Sequence, residues 1–477
     1  MSVATSHPSD SSGSSPTTLG ALRSSGHVHR SVKNEVRENL LRRMRDGDRR
    51  FPGIVGFDTT VLPHLERALL AGHDVVLLGE RGQGKTRLIR TLVGLLDEWS
   101  PVVAGCPIND HPYAPECAQC RALAAEAGEE LPVAWRHRED RYGEKLATPD
   151  TSVGDLIGDV DPVRLAEGRS LGDPQTVHYG LVPRANRGVF CLNELPDLAA
   201  RIQVALLNVL EERDVQIRGY ALRLPLDVLL VASANPEDYT NRGRIITPLK
   251  DRFGAEIRTH YPPELADEMA LIAQEADLAH GPAVPAHLLE IVATFARLVR
   301  ESPAVDDRSG VSARFAVAAI ENVAASAARR AALVGEEHPV ARVCDLPPML
   351  QTLRGKVEFE VGEEGREEEV LHHLLRRATA ETFRRTLGGV DLGGLIDRFS
   401  EGASVESGEL VDGMELLHRV GPMAGLAELV ARVAPEDEDA GETPGYAAAA
   451  VEFALEGLYL NRRLSKDTVE DRTVYRT

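Results

Sequence analysis

Cysteine is scarce in this chain of 477 residues, and so is positive charge. The five cysteines, Cys106, Cys117, Cys120, Cys191 and Cys344, are too few and too unevenly spread to frame a disulfide-stapled secreted protein. A reducing compartment is expected, with the thiols available for metal. With 54 Lys and Arg against 74 Asp and Glu the formal charge is −20, which disfavours non-specific binding to nucleic acid or to anionic membrane. No apolar run reaches the roughly 18 residues of a membrane span, and the N-terminus lacks the basic-then-apolar pattern of a secretory signal, so a cytoplasmic protein is expected. Aromatics amount to 4%, but 43% apolar and 27% charged residues make an ordinary globular balance. At roughly 100–200 residues per domain, the length predicts two to four domains.

Residues 1 to about 30 are dominated by Ser, Thr, Gly and Pro and hold hardly any large apolar side chain, so they are expected to form a disordered tail. A charged helical pattern runs from Val32 to Arg45 and a second from Val61 to Leu70. Asp74 to Leu78 is nearly all apolar and is followed at once by glycines, which is how a strand buried on both faces of a parallel sheet reads. Similar runs recur at Val189–Leu192 and Asp227–Val231. Between them Leu198, Ile202, Leu206, Val209 and Leu210 keep to one helix face. Strand and helix alternation of this kind predicts a doubly wound α/β domain. From Pro263 onward the periodicity is helical almost throughout, with an acidic linker at Pro435–Asp439 before a last helix from Tyr446 to Leu464.

The run Gly79-Glu80-Arg81-Gly82-Gln83-Gly84-Lys85-Thr86 matches the phosphate-binding loop at every defined position, after a predicted strand and before a helix expected from Arg87 to Leu96. Glycines let backbone N–H groups converge on phosphates, Lys85 adds a point charge, and Thr86 offers its hydroxyl to Mg²⁺. Phosphoryl transfer also needs a carboxylate to orient water. The apolar strand Val189–Leu192 ends in the polar pair Asn193-Glu194 at the edge of the sheet where such folds bind ligands, so Glu194 is the candidate base.

In these motifs the chain resembles the AAA+ ATPases, and among them the magnesium chelatase ATPase-subunit and MoxR-like group. The resemblance spans about residues 50 to 330. It rests on the phosphate loop, on Arg187–Leu195, on a hairpin-like stretch from Asp214 to Pro225, and on Val231-Ala-Ser-Ala-Asn235, Pro248-Leu-Lys-Asp-Arg252 and Gly310-Val-Ser-Ala-Arg314 in the family's order. It implies an AAA+ P-loop domain with a central parallel sheet over residues 31–262, carrying a Cys-rich insertion near 100–145. An α-helical lid over 263–345 and a mostly α-helical region over 346–477 would follow. It also implies ATP and Mg²⁺ as cofactors, with Asn235 positioning the attacking water, Arg252 reaching a neighbouring subunit's γ-phosphate and Arg314 touching the phosphates from the lid. Asn193 stands where the family has Asp, which removes a negative charge beside the metal.

A finger supplied in trans implies a homo-oligomeric ring, a hexamer. The usual partner in the group is a protein with a von Willebrand factor A domain. The implied activity is ATP hydrolysis coupled to remodelling a partner protein or to metal chelation. The rivals are a nucleotide-gated adaptor with little hydrolysis, a DNA-remodelling motor, which the acidic charge disfavours, and an AAA+ transcription activator. For the last, no Gly-Ala-Phe-Thr-Gly-Ala loop stands between Gly79 and Glu194. Independently of the resemblance, Cys117-x-x-Cys120 has the spacing of a structural zinc knuckle, with Cys106 and His111 just upstream. One Zn²⁺ held by Cys106, His111, Cys117 and Cys120 is expected, His137 being the competing fourth ligand.

Overall fold

The computed structural model describes residues 15–160, 166, 176–211, 224–235, 244–306, 310–400, 404–423, 425–434, 444–469 and 472–476. The hairpin-like stretch from Asp214 to Arg223 and the linker Pro435–Asp439 lie outside the described residues. The chain divides into two units, one of Met1–Glu80 with Gly84–His260 and one of Arg81–Gln83 with Tyr261–Thr477.

In the first unit, helices α1 (Leu19–Ser24), α2 (Val32–Asp46) and α3 (Val61–Leu70) precede strand β1 (Val75–Leu78), and α4 (Lys85–Thr91) follows the glycine loop. Instead of running on to Leu96, α4 tightens into a 3₁₀ turn at Leu92–Leu95, around Gly94. Then come β2 (Trp99–Val103), α5 (Ala118–Ala127), β3 (Val133–His137), β4 (Tyr142–Leu146), the short β5 (Gly158–Val160) and β6 (Val177–Tyr179), β7 (Gly188–Asn193), β8 (Val228–Ala234) and β9 (Ala255–Arg258).

A five-stranded sheet has the order β4-β7-β8-β1-β9, every neighbouring pair parallel. β1, β7 and β8 are buried at every position, which explains their unbroken apolar runs. Strand β8 lies between β1 and β7, so the residues just past the C-terminal ends of all three are brought together. At the other end of β7 the chain is close-packed: a Cβ on Gly188 would lie 2.0 Å from the carbonyl oxygen of Arg141. Arg141 is itself buried in a bidentate pair with Glu35 of α2, at 2.8 and 2.6 Å.

The expected tail is ordered from Pro16 on, which corrects the sequence reading for that part. Leu19 and Leu22 are buried, and the backbone pairs with the loop before β3 through Leu19 N–H to Leu131 O (3.0 Å) and Val133 N–H to Thr17 O (2.8 Å). Two well-placed leucines and strand-like pairing offset the poor composition, a long-range effect that a local window does not register.

The second unit is mainly helical, with Ala286–Arg300, Ala313–Val334, Glu367–Leu387 and Pro444–Leu460 as its long helices around a core that includes Phe295, Phe315 and Phe453. It also holds a three-stranded antiparallel sheet, in the order β10 (Val405–Ser407), β12 (Arg472–Arg476), β11 (Ser465–Val469), which the helical periodicity gave no reason to expect.

Candidate nucleotide-binding site

The loop after β1 has the backbone its glycines predict. Gly82 and Gly84 sit at φ 76° and 73°, a region costly for any residue with a Cβ, and the space a Cβ on Gly84 would point into is open. Among the described residues, the N–H groups of Gly82, Gly84 and Thr86 meet no backbone acceptor. Helix α4 starts at Lys85 and adds the positive end of its dipole. These features fit a phosphate group.

Lys85 is buried, its ammonium bound to the carbonyls of Gly79 and Glu80 (2.7 Å to the latter) and to Asn235 Oδ1 at 2.7 Å. Asn235, the residue after β8, donates through Nδ2 to Glu194 Oε2 at 2.8 Å. Lysine, amide and carboxylate therefore form one relay. Glu194 sits just past β7 at φ 55°, ψ 48°, a left-handed conformation that a side chain with a Cβ adopts at a cost and that recurs at functional sites. Its own N–H donates to Ser233 Oγ at 3.2 Å, which helps hold it there.

Asn193 faces a partner that the sequence reading did not foresee. Its Nδ2 donates to Glu144 Oε1 of β4 at 2.6 Å, and its Oδ1 accepts from Ser233 Oγ at 3.1 Å and Cys191 Sγ at 3.4 Å. Glu144 forms a bidentate pair with Arg90 at 3.0 and 3.1 Å and accepts from Tyr142. Burial pushes its pKa up most strongly, but the hydrogen bonds from Arg90, Tyr142 and Asn193 and the Arg90 charge together outweigh that and hold it below the usual value. An aspartate at 193 would meet this carboxylate head-on; the amide turns the contact into a hydrogen bond. The signal that could have found Glu144 is the pairing of β4 with β7, where Glu144 lies opposite Cys191. The Cys191 thiol is pushed up to about 12 by burial and stays neutral. Thr86, Asn193 and Glu194 offer hard oxygens, the donor type Mg²⁺ takes.

Arg252 closes a short helix, Thr247–Arg252, half-exposed and 3.0 Å from Asp251. Arg314 is the second residue of the long helix Ala313–Val334 in the second unit, exposed.

The cysteine cluster lies toward the opposite end of β7 and differs from expectation in one ligand. Cys106, Cys117, Cys120 and Asp110 bring one donor atom each within 4.8 Å of one another. His111 is turned elsewhere: its Nδ1 accepts from Tyr113 N–H at 3.0 Å, its Nε2 lies 3.3 Å from His27 Nε2, and its ring is 4.1 Å from that of His29. Burial and the nearby Arg187 push it down to about 2. His137, on β3, packs against Trp99. A cavity of about 370 Å³ opens beside Asp110, His111, His29 and Arg187, away from the phosphate loop.

Comparison with known proteins agrees with this geometry. A family model described as the sigma-54 interaction domain matches residues 167–252. The chain is 30% identical over 211 residues to the magnesium-chelatase subunit ChlI of Anabaena variabilis, covering 44% of this chain and 59% of that protein. It is 29% identical to the magnesium-chelatase 38 kDa subunit of Acidiphilium rubrum, over 64% of this chain and 75% of that protein. A structure of the complex between subunits BchI and BchD of magnesium chelatase aligns at 23% identity and a TM-score of 0.36, over 68% of this chain and 98% of that chain. The match to the Anabaena subunit thus spans less than two thirds of that protein's length. In its phosphate loop, in the carboxylate beyond β7 and in the sequence matches, the chain is similar to the magnesium-chelatase ATPase subunits over part of their length.

Proposed function

We propose that this chain is a Mg²⁺-dependent ATPase that works as a homo-oligomeric ring, a hexamer, and couples hydrolysis to remodelling a partner protein or to metal insertion of the magnesium-chelatase kind. The observation that carries the reading is the relay Lys85–Asn235–Glu194 beside a loop of open N–H groups. The loop and Lys85 bind the phosphates, which take the place of the carbonyls that now hold the ammonium. Glu194 accepts the proton of the attacking water, and Asn235 orients both. Mg²⁺, when bound, offsets charge on the β- and γ-phosphates, with Thr86 and Asn193 to hold it. Arg252 serves a neighbouring subunit and Arg314 acts from the lid. A von Willebrand factor A domain protein as partner and a cytoplasmic location belong to the same reading; one Zn²⁺ in the Cys-rich insertion is proposed alongside it and does not depend on it.

The test is ATP turnover and nucleotide binding of the purified chain. Lys85→Ala should lose nucleotide binding, while Glu194→Gln should keep it and stop turnover. Hydrolysis by Glu194→Gln at the wild-type rate refutes the base. A wild-type chain that binds ATP without turnover is an adaptor, the reading that Asn193 motivates.

A further inference from the structure

We infer that Cys106, Asp110, Cys117 and Cys120 form a structural Zn²⁺ site, with the Asp110 carboxylate as fourth ligand and His111 excluded. The inference is independent of the ATPase reading, since the cluster lies toward the far end of β7 from the phosphate loop.

Cys106 and Cys117 sulfurs stand 3.9 Å apart. That is nearly twice a disulfide bond, and it matches the edge of about 3.8 Å that a Zn–S length of about 2.3 Å gives in a tetrahedron. Backbone donors already support the thiolates: Asp110 N–H points at Cys106 Sγ (3.2 Å) and Cys120 N–H at Cys117 Sγ (3.3 Å). This is the outer support metal ligands need.

Asp110 supplies the second, independent observation. It is 1% exposed. Its Oδ2 accepts from the N–H groups of Glu116 (2.9 Å) and Cys117 (2.8 Å), which fixes the carboxylate plane. Its Oδ1 is buried with no hydrogen-bond partner among the described residues. A buried carboxylate oxygen left so beside three sulfurs is unfavourable, and a cation held among them removes that cost. The preceding Asn109, at φ 58°, is of a residue type that tolerates the left-handed turn swinging Asp110 inward and His111 outward. With Nδ1 accepting from Tyr113 N–H, the His111 proton belongs on Nε2, facing His27, which leaves the ring no lone pair for the sulfur cluster. Three thiolates with one oxygen in a tetrahedral set suit Zn²⁺ over harder cations. All four positions are filled by protein, so the ion is structural. Asn186, at the foot of β7, bonds the Ile108 carbonyl at 3.0 Å, so the ion braces the loop against that strand.

Elemental analysis of the full chain, purified without chelator, should give about one zinc per chain. The metal-stripped wild-type chain titrated with Co²⁺ should develop thiolate-to-cobalt absorption at one equivalent, a readout that needs no variant to fold and no ATP turnover. Asp110→Asn should weaken Co²⁺ binding by about tenfold or more, Asp110→His should restore it, and His111→Ala should leave it unchanged. A chain without metal and without the cobalt band overturns the site. Loss of the band in His111→Ala, with Asp110→Asn unaffected, overturns the ligand set.

Discussion

The two ends of strand β7 solve opposite problems. At its C-terminal end, Lys85, Asn193, Ser233 and Asn235 all have hydrogen-bond partners before any nucleotide is bound. At its N-terminal end, Arg187 donates to Pro101 O and Ser100 Oγ, and among the described residues its Nε and the Oδ1 of the nearby Asp110 have no hydrogen-bond partner. The first end is preorganised, with polar groups that hold one another until substrate exchanges with them. The second leaves two buried polar atoms without a hydrogen-bond partner among the described residues. Mutual satisfaction therefore marks the C-terminal end, and orphaned atoms mark the N-terminal end.

Chemistry should break at one end without stability, and stability at the other without chemistry. The largest effect should come from Arg252→Ala, which on the ring reading keeps ATP bound and loses about 10³–10⁵ in turnover with the melting temperature unchanged. Mixed with Glu194→Gln chains it should regain some activity, because some interfaces then pair an intact Glu194 with an intact Arg252. No recovery in rings shown to have exchanged subunits would place the finger elsewhere. Next in size is Glu35→Ala, which strands the buried Arg141 guanidinium beside Arg187 and should cost about 3–5 kcal/mol in denaturant unfolding of the first unit. Equal stability of the two chains would mean that the pair contributes nothing to the fold.

His287 in the second unit sharpens the rule about orphaned atoms. Among the described residues both its ring nitrogens are buried without partners and no ligand set surrounds it, and it stacks on Phe453. Burial pushes it down to about 3. Its folded pKa lies below the unfolded value of about 6.5, so its contribution is present above pH 6.5 and is lost as pH falls from there toward 3. His287→Phe should make little difference to this pH dependence at pH 7 and should remove about 2 kcal/mol of acid destabilisation at pH 5, read from denaturation curves at the two pH values. Identical acid sensitivity in both chains would clear this histidine. The smallest effect is expected for Asn193→Asp. Two carboxylates then face each other across the 2.6 Å contact with Glu144, and melting should drop by about 2–4 °C without Mg²⁺ and recover with it. A melt indifferent to Mg²⁺ would show that position 193 does not sense the metal.

Much of the reactive end was legible in the chain because its signals are local. The glycine loop, the apolar run ending in Asn193-Glu194 and the run ending in Asn235 each announce a strand and its polar terminus. Glu144 was not legible, because its meaning depends on which strand pairs with β7, and β4 reads as an ordinary polar edge. The clustering of the three cysteines was legible, whereas the neighbour that joins them is Asp110 and not the expected His111. His111 has the more familiar ligand chemistry, but the left-handed turn at Asn109 decides which of two adjacent side chains faces inward. The order in residues 16–24 and the small sheet that closes the second unit rest on pairings between distant segments, which composition and periodicity do not encode.

The strand inserted between β1 and β7 also works as a ruler. Neighbouring strands lie about 4.8 Å apart, so β8 keeps the strand of the lysine and that of the glutamate about 10 Å from each other. Were β1 and β7 adjacent, Lys85 and Glu194 would fall within reach of a direct ion pair and each would quench the other. On the proposed ATPase reading, one strand's width leaves space for a terminal phosphate and a water in line with it, with Asn235 marking the midpoint.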